Sequence, residues 1–212
     1  AMLNNFSNEG GAFSKVNFLK NMQGMWIIQG LKRSIEAAHR RDYSYDELVE
    51  LASRSSDVNS YVDVDDPRFL LPADMGKEMA SYLEETGQPK PMGEGEMLRV
   101  AIRSLALKRR YVVELAEKLS GRRIRAINVV GGGSRNWLLN QMTADALGIP
   151  VFAGPDEATA MGNLLVQQVG LGNLSPSQLR EAVRRSFKVR KFEPERKDDA
   201  YSEFLRRTGL EE

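Results

Sequence analysis

The 212-residue chain contains no cysteine, which removes disulfides, thiolate metal sites and a cysteine nucleophile together. It has one histidine, His39, so a histidine metal cluster and a Ser/His triad are excluded as well. Neither sign of charge dominates. Thirty Lys+Arg against 29 Asp+Glu leave a formal net charge of +1, and no global field points to a nucleic acid or an anionic membrane as partner. No apolar run approaches the length of a membrane span, and the first residues lack a signal-peptide pattern. What is present, 42% hydrophobic and 28% charged residues, is the balance of a soluble globular protein. Absence of cysteine suits the cytoplasm. Ala1-Met2 reads as a scar ahead of an internal start.

The most informative run begins at Ile127. A short apolar strand, 127–130, ends in Gly131, Gly132 and Gly133, and Ser134 then opens a helix. Three residues without Cβ let bare backbone approach a ligand, and a helix start offers unpaired N–H groups. The same glycines could form a tight strand-to-helix turn with no ligand. A dinucleotide-binding turn fits poorly, because the Gly-x-Gly-x-x-Gly spacing is absent and no acidic residue closes a second strand.

Elsewhere the pattern predicts a helix from about Lys15 to His39, apolar nearly all round in its first half and therefore buried. A second helix follows near Tyr45 to Ser55, capped by Ser44. A third runs from about Ala73 to Gly87, and the longest from Glu94 to Ser120, stopped by Gly121. The basic residues of that helix, Arg99, Arg103, Lys108, Arg109 and Arg110, are expected on a solvated face. After it, strands at 124–130, 149–153 and 189–192 alternate with helices at 134–147, 157–169, 175–186 and 194–207. Alternation of this kind argues for an α/β fold, a sheet covered by helices.

The stretch from Val129 to Asn136, the run 138–151 (Leu-Leu-Asn-Gln-Met-Thr-Ala-Asp-Ala-Leu-Gly-Ile-Pro-Val) and 157–163 (Glu-Ala-Thr-Ala-Met-Gly-Asn) together resemble the C-terminal domain of the FGGY carbohydrate kinases. Asn8-Glu9-Gly10-Gly11, the segment 19–29, Asp66 to Phe69 and Ala153-Gly154-Pro155 narrow the resemblance to the rhamnulokinase branch. It implies an actin-like (ribonuclease H-like) ATPase domain, a sheet flanked by helices with helical insertions. Residues 1–212 would form this nucleotide-binding domain, with 172–212 as its helical and strand extension. It implies MgATP-dependent phosphorylation of L-rhamnulose to L-rhamnulose 1-phosphate. The partners would be ATP or ADP, the sugar, and an N-terminal domain carrying the Asp general base and the phosphate loops. On that view residues 1–212 alone are inactive and hold no catalytic or metal-binding residue. Another FGGY ketose kinase, or a non-catalytic actin-like nucleotide-binding module, is the alternative.

The resemblance also distributes roles. Gly132 is expected against the adenine, with Gly131 and Gly133 shaping its turn. Gln29 is expected to contact ATP and Asn21 the sugar. Within one helix these two would lie about 12 Å apart along the axis. Asn136 either reads an adenine edge or faces solvent from a first turn. Trp26 is expected in the core, and Gly24 in mid-helix. Ala158, Ala160 and Gly162 are expected to allow close helix-to-sheet packing, with Glu157 complementing the helix dipole. Asp145 is expected at a helix surface or cap. Asp63, Asp65 and Asp66 lack a calcium-loop spacing and read as a solvated acidic turn.

Overall fold

In a computed structural model describing residues 4–211, the segment expected as one helix from Lys15 divides into the second half of a hairpin, a link and a helix. Ala1 and Met2, read above as a scar, lie outside the described residues. Strand β1 (Phe6–Gly10) pairs antiparallel with β2 (Val16–Lys20), Phe6 opposite Lys20 and Gly10 opposite Val16. Phe6 stacks on Phe18 with ring centroids 4.6 Å apart, a diagonal cross-strand pair of the sort that stabilises sheets. Val16 and Leu19 fit a helical stripe, whereas Val16 and Phe18 fit the period of a strand, and the hairpin partner decides between the two patterns. Helix α1 starts only at Trp26 and ends at His39. Gly24 is therefore in the link, not in mid-helix, and Asn21 and Gln29 do not share a helix.

Helix α2 (Tyr45–Arg54) begins at a capping box. Glu47 N–H donates to Ser44 Oγ at 3.2 Å, and Ser44 N–H donates to Glu47 Oε2 at 2.7 Å, so two end donors are satisfied reciprocally. Helix α3 (Met75–Glu85) is capped by Asp74, and α4 (Glu94–Ser120) stops at Gly121 with φ 66°. The four helices enclose one apolar core. Ile28, Leu31, Leu48, Met79, Leu83, Leu98 and Ile102 are all fully buried in it, each contributing about 1.5–3 kcal/mol. Trp26 packs at its edge as expected, its indole N–H donating to the carbonyls of Phe69 and Leu70 at 3.1 and 2.9 Å.

The basic residues of α4 do not form a solvated face. Arg99 grips Asp57, Arg103 grips Asp198, and the buried Lys108 reaches Asp63 and Asp65. The acids come from a distant loop and from the C-terminal extension, a pairing invisible in the periodicity of α4.

The second half builds a three-stranded sheet in the order β3 (Ile127–Val129), β4 (Val151–Ala153), β5 (Arg190–Phe192), the first pair parallel and the second antiparallel. Helix α5 (Trp137–Leu147) crosses from β3 to β4 and packs on both α4 and the sheet. Helix α6 (Ala158–Gly170) behaves otherwise than expected. It has no buried residue, Leu164 is 58% exposed, and a Cβ added at Gly162 would meet nothing within 4 Å. Its small residues do not pack on the sheet. Helices α7 (Leu179–Ser186) and α8 (Tyr201–Thr208) complete the extension. Residues 194–200, expected to be helical, instead run beside Asp145, which accepts from Glu195 N–H at 2.9 Å. Asp145 is thereby a buried tether, not a surface carboxylate. Phe204 of α8 closes a small cluster with Tyr61, Leu107 and Ala146. Among the described residues no helix is long and apolar enough to cross a membrane.

Candidate functional site

The glycine turn is fixed from both sides. After β3, Gly131 takes φ 73° and ψ −165°, a region essentially confined to glycine. Gly154 N–H donates to Val129 O at 2.8 Å and Gly131 N–H to Pro155 O at 3.1 Å, so the turn is clamped to the loop that follows β4. Gly132 to Arg135 form one 3₁₀ turn. Ser134, expected to open the helix, instead donates its hydroxyl to Gly131 O at 2.7 Å. Asn136 is the N-cap of α5: its Oδ1 accepts from Leu139 N–H at 2.9 Å. Only 4% of Asn136 is exposed, and its Nδ2 has no partner. A buried donor left unpaired costs about 1–3 kcal/mol, and Asn140 Oδ1, one helical turn on, is likewise without a partner.

The turn forms one side of a cavity of about 600 Å3, within the range of small-molecule sites. Gly132, Gly133 and Asn136 line it from the turn, and Gln29 lines it from the first turn of α1. Four of the five residues expected to bind nucleotide therefore converge, and Gly131 sets the path of the chain into them. Asn21 does not join them. It lies in the link before α1 and lines a separate hollow of about 570 Å3 with Lys20, Gln23, Lys108 and Tyr111. A Cβ added at Gly132 would meet nothing within 4 Å. Its bare face is open ground.

Other residues complete the cavity beyond those expected there. Tyr45, Asp46 and Val49 approach from α2, and Arg135, Asp156 and Glu157 from the loops around the turn. Arg135 Nε donates to Asp156 Oδ2 at 2.8 Å. That bond holds the Asp156 carboxyl below its ordinary value and raises the Arg135 guanidinium, with a smaller push from Asp46. Three carboxylates thus face one guanidinium that Asp156 already neutralises. Such a lining suits an uncharged heterocycle and its sugar better than a polyphosphate.

The lining residues supply a side-chain-free ledge, an unpaired amide donor and a near-neutral to acidic wall. They do not supply a metal site. Among the described residues no group of three or more His, Cys, Asp or Glu side chains could hold an ion. Asp63 and Asp65, expected on a solvated turn, are half-buried instead, with Lys108 at 2.7 and 3.2 Å from them.

Residues 1–171 match the C-terminal domain of the FGGY family of carbohydrate kinases. The chain belongs to that family. It is 41% identical over 192 residues to a rhamnulokinase of Bacteroides thetaiotaomicron, covering 90% of this chain and 39% of the relative. It is 44% identical over 189 residues to a rhamnulokinase of Halalkalibacterium halodurans, covering 89% and 39%. The chain thus spans about 39% of the length of these curated relatives. Among solved structures it is similar to xylulose kinase from Bifidobacterium adolescentis, with TM-score 0.54 and 17% identity over 95% of this chain and 38% of that one. Xylulose kinase from Rhodospirillum rubrum gives TM-score 0.55 and 21% identity over 90% and 37%. These likenesses show that the chain shares its fold with the corresponding part of the xylulose kinases.

Proposed function

We propose that the chain is the ATP-binding half of a cytoplasmic rhamnulokinase of rhamnose metabolism, transferring the γ-phosphate of ATP to L-rhamnulose to give L-rhamnulose 1-phosphate. One observation carries the proposal. Gln29 and the segment 132–136, about a hundred residues apart in sequence, meet at a single cavity whose ledge is bare backbone and whose buried Asn136 amide lacks an acceptor. The rhamnulokinase relatives supply the sugar.

In this account Gly132 and Gly133 carry the adenine, Asn136 Nδ2 donates to its edge, and Gln29 holds the nucleotide from the α1 side. The acidic lining turns the phosphates away from the cavity and out toward the rest of the enzyme. Magnesium, arriving with ATP, supplies charge neutralisation of those phosphates, and no residue of this chain is assigned to it. Phosphoryl transfer of this kind needs positioning and electrostatics more than covalent chemistry from the protein. The Asp general base and the phosphate loops belong to an N-terminal domain. Two surfaces suit contact with that domain: the exposed helix α6, on which Leu164 and Val166 both stand in solvent, and the link carrying Asn21. Closure there would bring the sugar hydroxyl in line and exclude water. The 212 residues alone do not turn over.

The test is a coupled assay of ADP release by the full-length protein over a panel of ketoses with MgATP. L-Rhamnulose is expected as the preferred acceptor, and residues 1–212 alone are expected to be silent. Preference for a different ketose would move the specificity within the family. Failure to transfer phosphate to any ketose would leave a non-catalytic nucleotide-binding module.

A further inference from the structure

We propose that the aromatic ring of Tyr45 is the second face of the base slot, so that the purine is held between the Gly132 ledge and this ring. The inference rests on the cavity binding a nucleotide, and goes on to name what sets its preference for one.

Tyr45 is the first residue of α2, held in place by the Ser44–Glu47 capping box rather than by burial of its own ring. The residue is 45% exposed and lines the same cavity as Gly132 and Asn136. A large aromatic left half in solvent at a cavity wall has apolar area still to be covered. Lys32 Nζ stands 5.9 Å from the ring centroid and does not cover it. The same cavity lining holds the open side of Gly132 and the unpaired Asn136 Nδ2, and neither of these covers the ring. A flat heterocycle would satisfy all three at once: peptide plane on one face, amide at the edge, phenol ring on the other face. The carboxylates of Asp46, Asp156 and Glu157 around it disfavour an anionic occupant. They leave the neutral base as the part of a nucleotide that fits.

Stacking depends on ring area, so this wall gives purines an advantage over pyrimidines. Base–aromatic stacking in nucleic-acid complexes corresponds to a loss of about tenfold or more in affinity on truncation to alanine. The test is calorimetric titration of the full-length protein with ADP and with UDP. Tyr45→Ala should weaken ADP about tenfold and shrink the ADP-over-UDP preference, while Tyr45→Phe should stay close to wild type. Tyr45→Leu, which keeps an apolar cover without a flat ring, should resemble the alanine variant in its base preference. Thermal melts matching wild type would exclude a folding cause. Should the alanine and leucine variants bind ADP and UDP in the wild-type ratio and strength, the ring is not part of the slot. If the wild-type protein itself binds no ADP, the nucleotide assignment falls, and this inference with it.

Discussion

Lys108, 3% exposed in the middle of α4, places its ammonium 2.7 Å from the Asp63 carboxylate. The same ammonium lies 3.2 Å from Asp65, whose other oxygen accepts from Gln23 N–H at 2.6 Å. A chain of charge-assisted bonds thus runs from the centre of the longest helix to the link that carries Asn21. Breaking a buried pair by removing one partner strands the other charge and costs about 3–5 kcal/mol. Lys108→Met is expected to lower stability by about that amount, as read by urea unfolding. The triple variant Lys108→Met/Asp63→Asn/Asp65→Asn should recover part of the loss. In the full-length enzyme the conservative Asp65→Asn should raise KM for sugar and leave ADP affinity unchanged, because the link, not the nucleotide cavity, depends on it.

How much of this was legible in the sequence differs from element to element. Helix α2 and α4 announce themselves through Ser44, Glu47 and Gly121, residues whose backbone chemistry acts locally. The glycine turn and its neighbours were legible through the family pattern, and Gln29, Gly132, Gly133 and Asn136 do meet. The hairpin of Phe6–Lys20 was not, since Val16 and Leu19 fit a helical period as readily as Val16 and Phe18 fit a strand, and only the cross-strand stack with Phe6 separates the two. Nor were Tyr45, Asp46 and Asp156 as cavity residues. Tyr45 and Asp46 are placed by how α2 packs on α4 and α5, and Asp156 by the clamp of the loop after β4 to the glycine turn, tertiary facts without a local signature. The partners of Arg99, Arg103 and Lys108 were hidden for the same reason.

Asn136 does two tasks with two atoms, and they can be separated. Asn136→Asp keeps an oxygen to cap α5 at Leu139 N–H and removes the Nδ2 donor. Thermal stability should stay near wild type, since a carboxylate suits a helix N-terminus. Affinity for ADP should fall by about twofold to tenfold, the worth of one hydrogen bond. Asn136→Ala should lose both, with the lost cap costing about 1 kcal/mol. Calorimetry and melts on the same two variants check it.

Adjacent glycines should respond in opposite ways. Gly131→Ala places a side chain at φ 73° and ψ −165° and should destabilise by about 1–3 kcal/mol. Gly132→Ala adds a Cβ that meets nothing within 4 Å and should leave folding intact while it obstructs the ledge and weakens ADP binding. Denaturation curves beside binding isotherms distinguish the two.

Asp198 makes acid stability a readout of how the extension is held. Burial raises its carboxyl, but the Arg103 guanidinium at 2.8 and 3.2 Å and Ala200 N–H at 3.0 Å outweigh it and keep it below the ordinary value. A carboxyl lowered in the folded state contributes stability above its unfolded value of about 3.9, and that contribution is lost as pH falls through the folded value. Asp198→Asn should cost about 1–3 kcal/mol at neutral pH, and its stability should decline less steeply than wild type below about pH 4. Urea midpoints across pH 2.5–7 (about eight points) would show the two curves converging at the acid end.

The most direct measurement is a crystal structure of the full-length protein with ADP. The purine is predicted in van der Waals contact with the Gly132 backbone, with Asn136 Nδ2 on its edge and its phosphates leading away from Asp46, Asp156 and Glu157. A base bound elsewhere, with the Gly132 ledge covered by the protein's own side chains, would contradict the account.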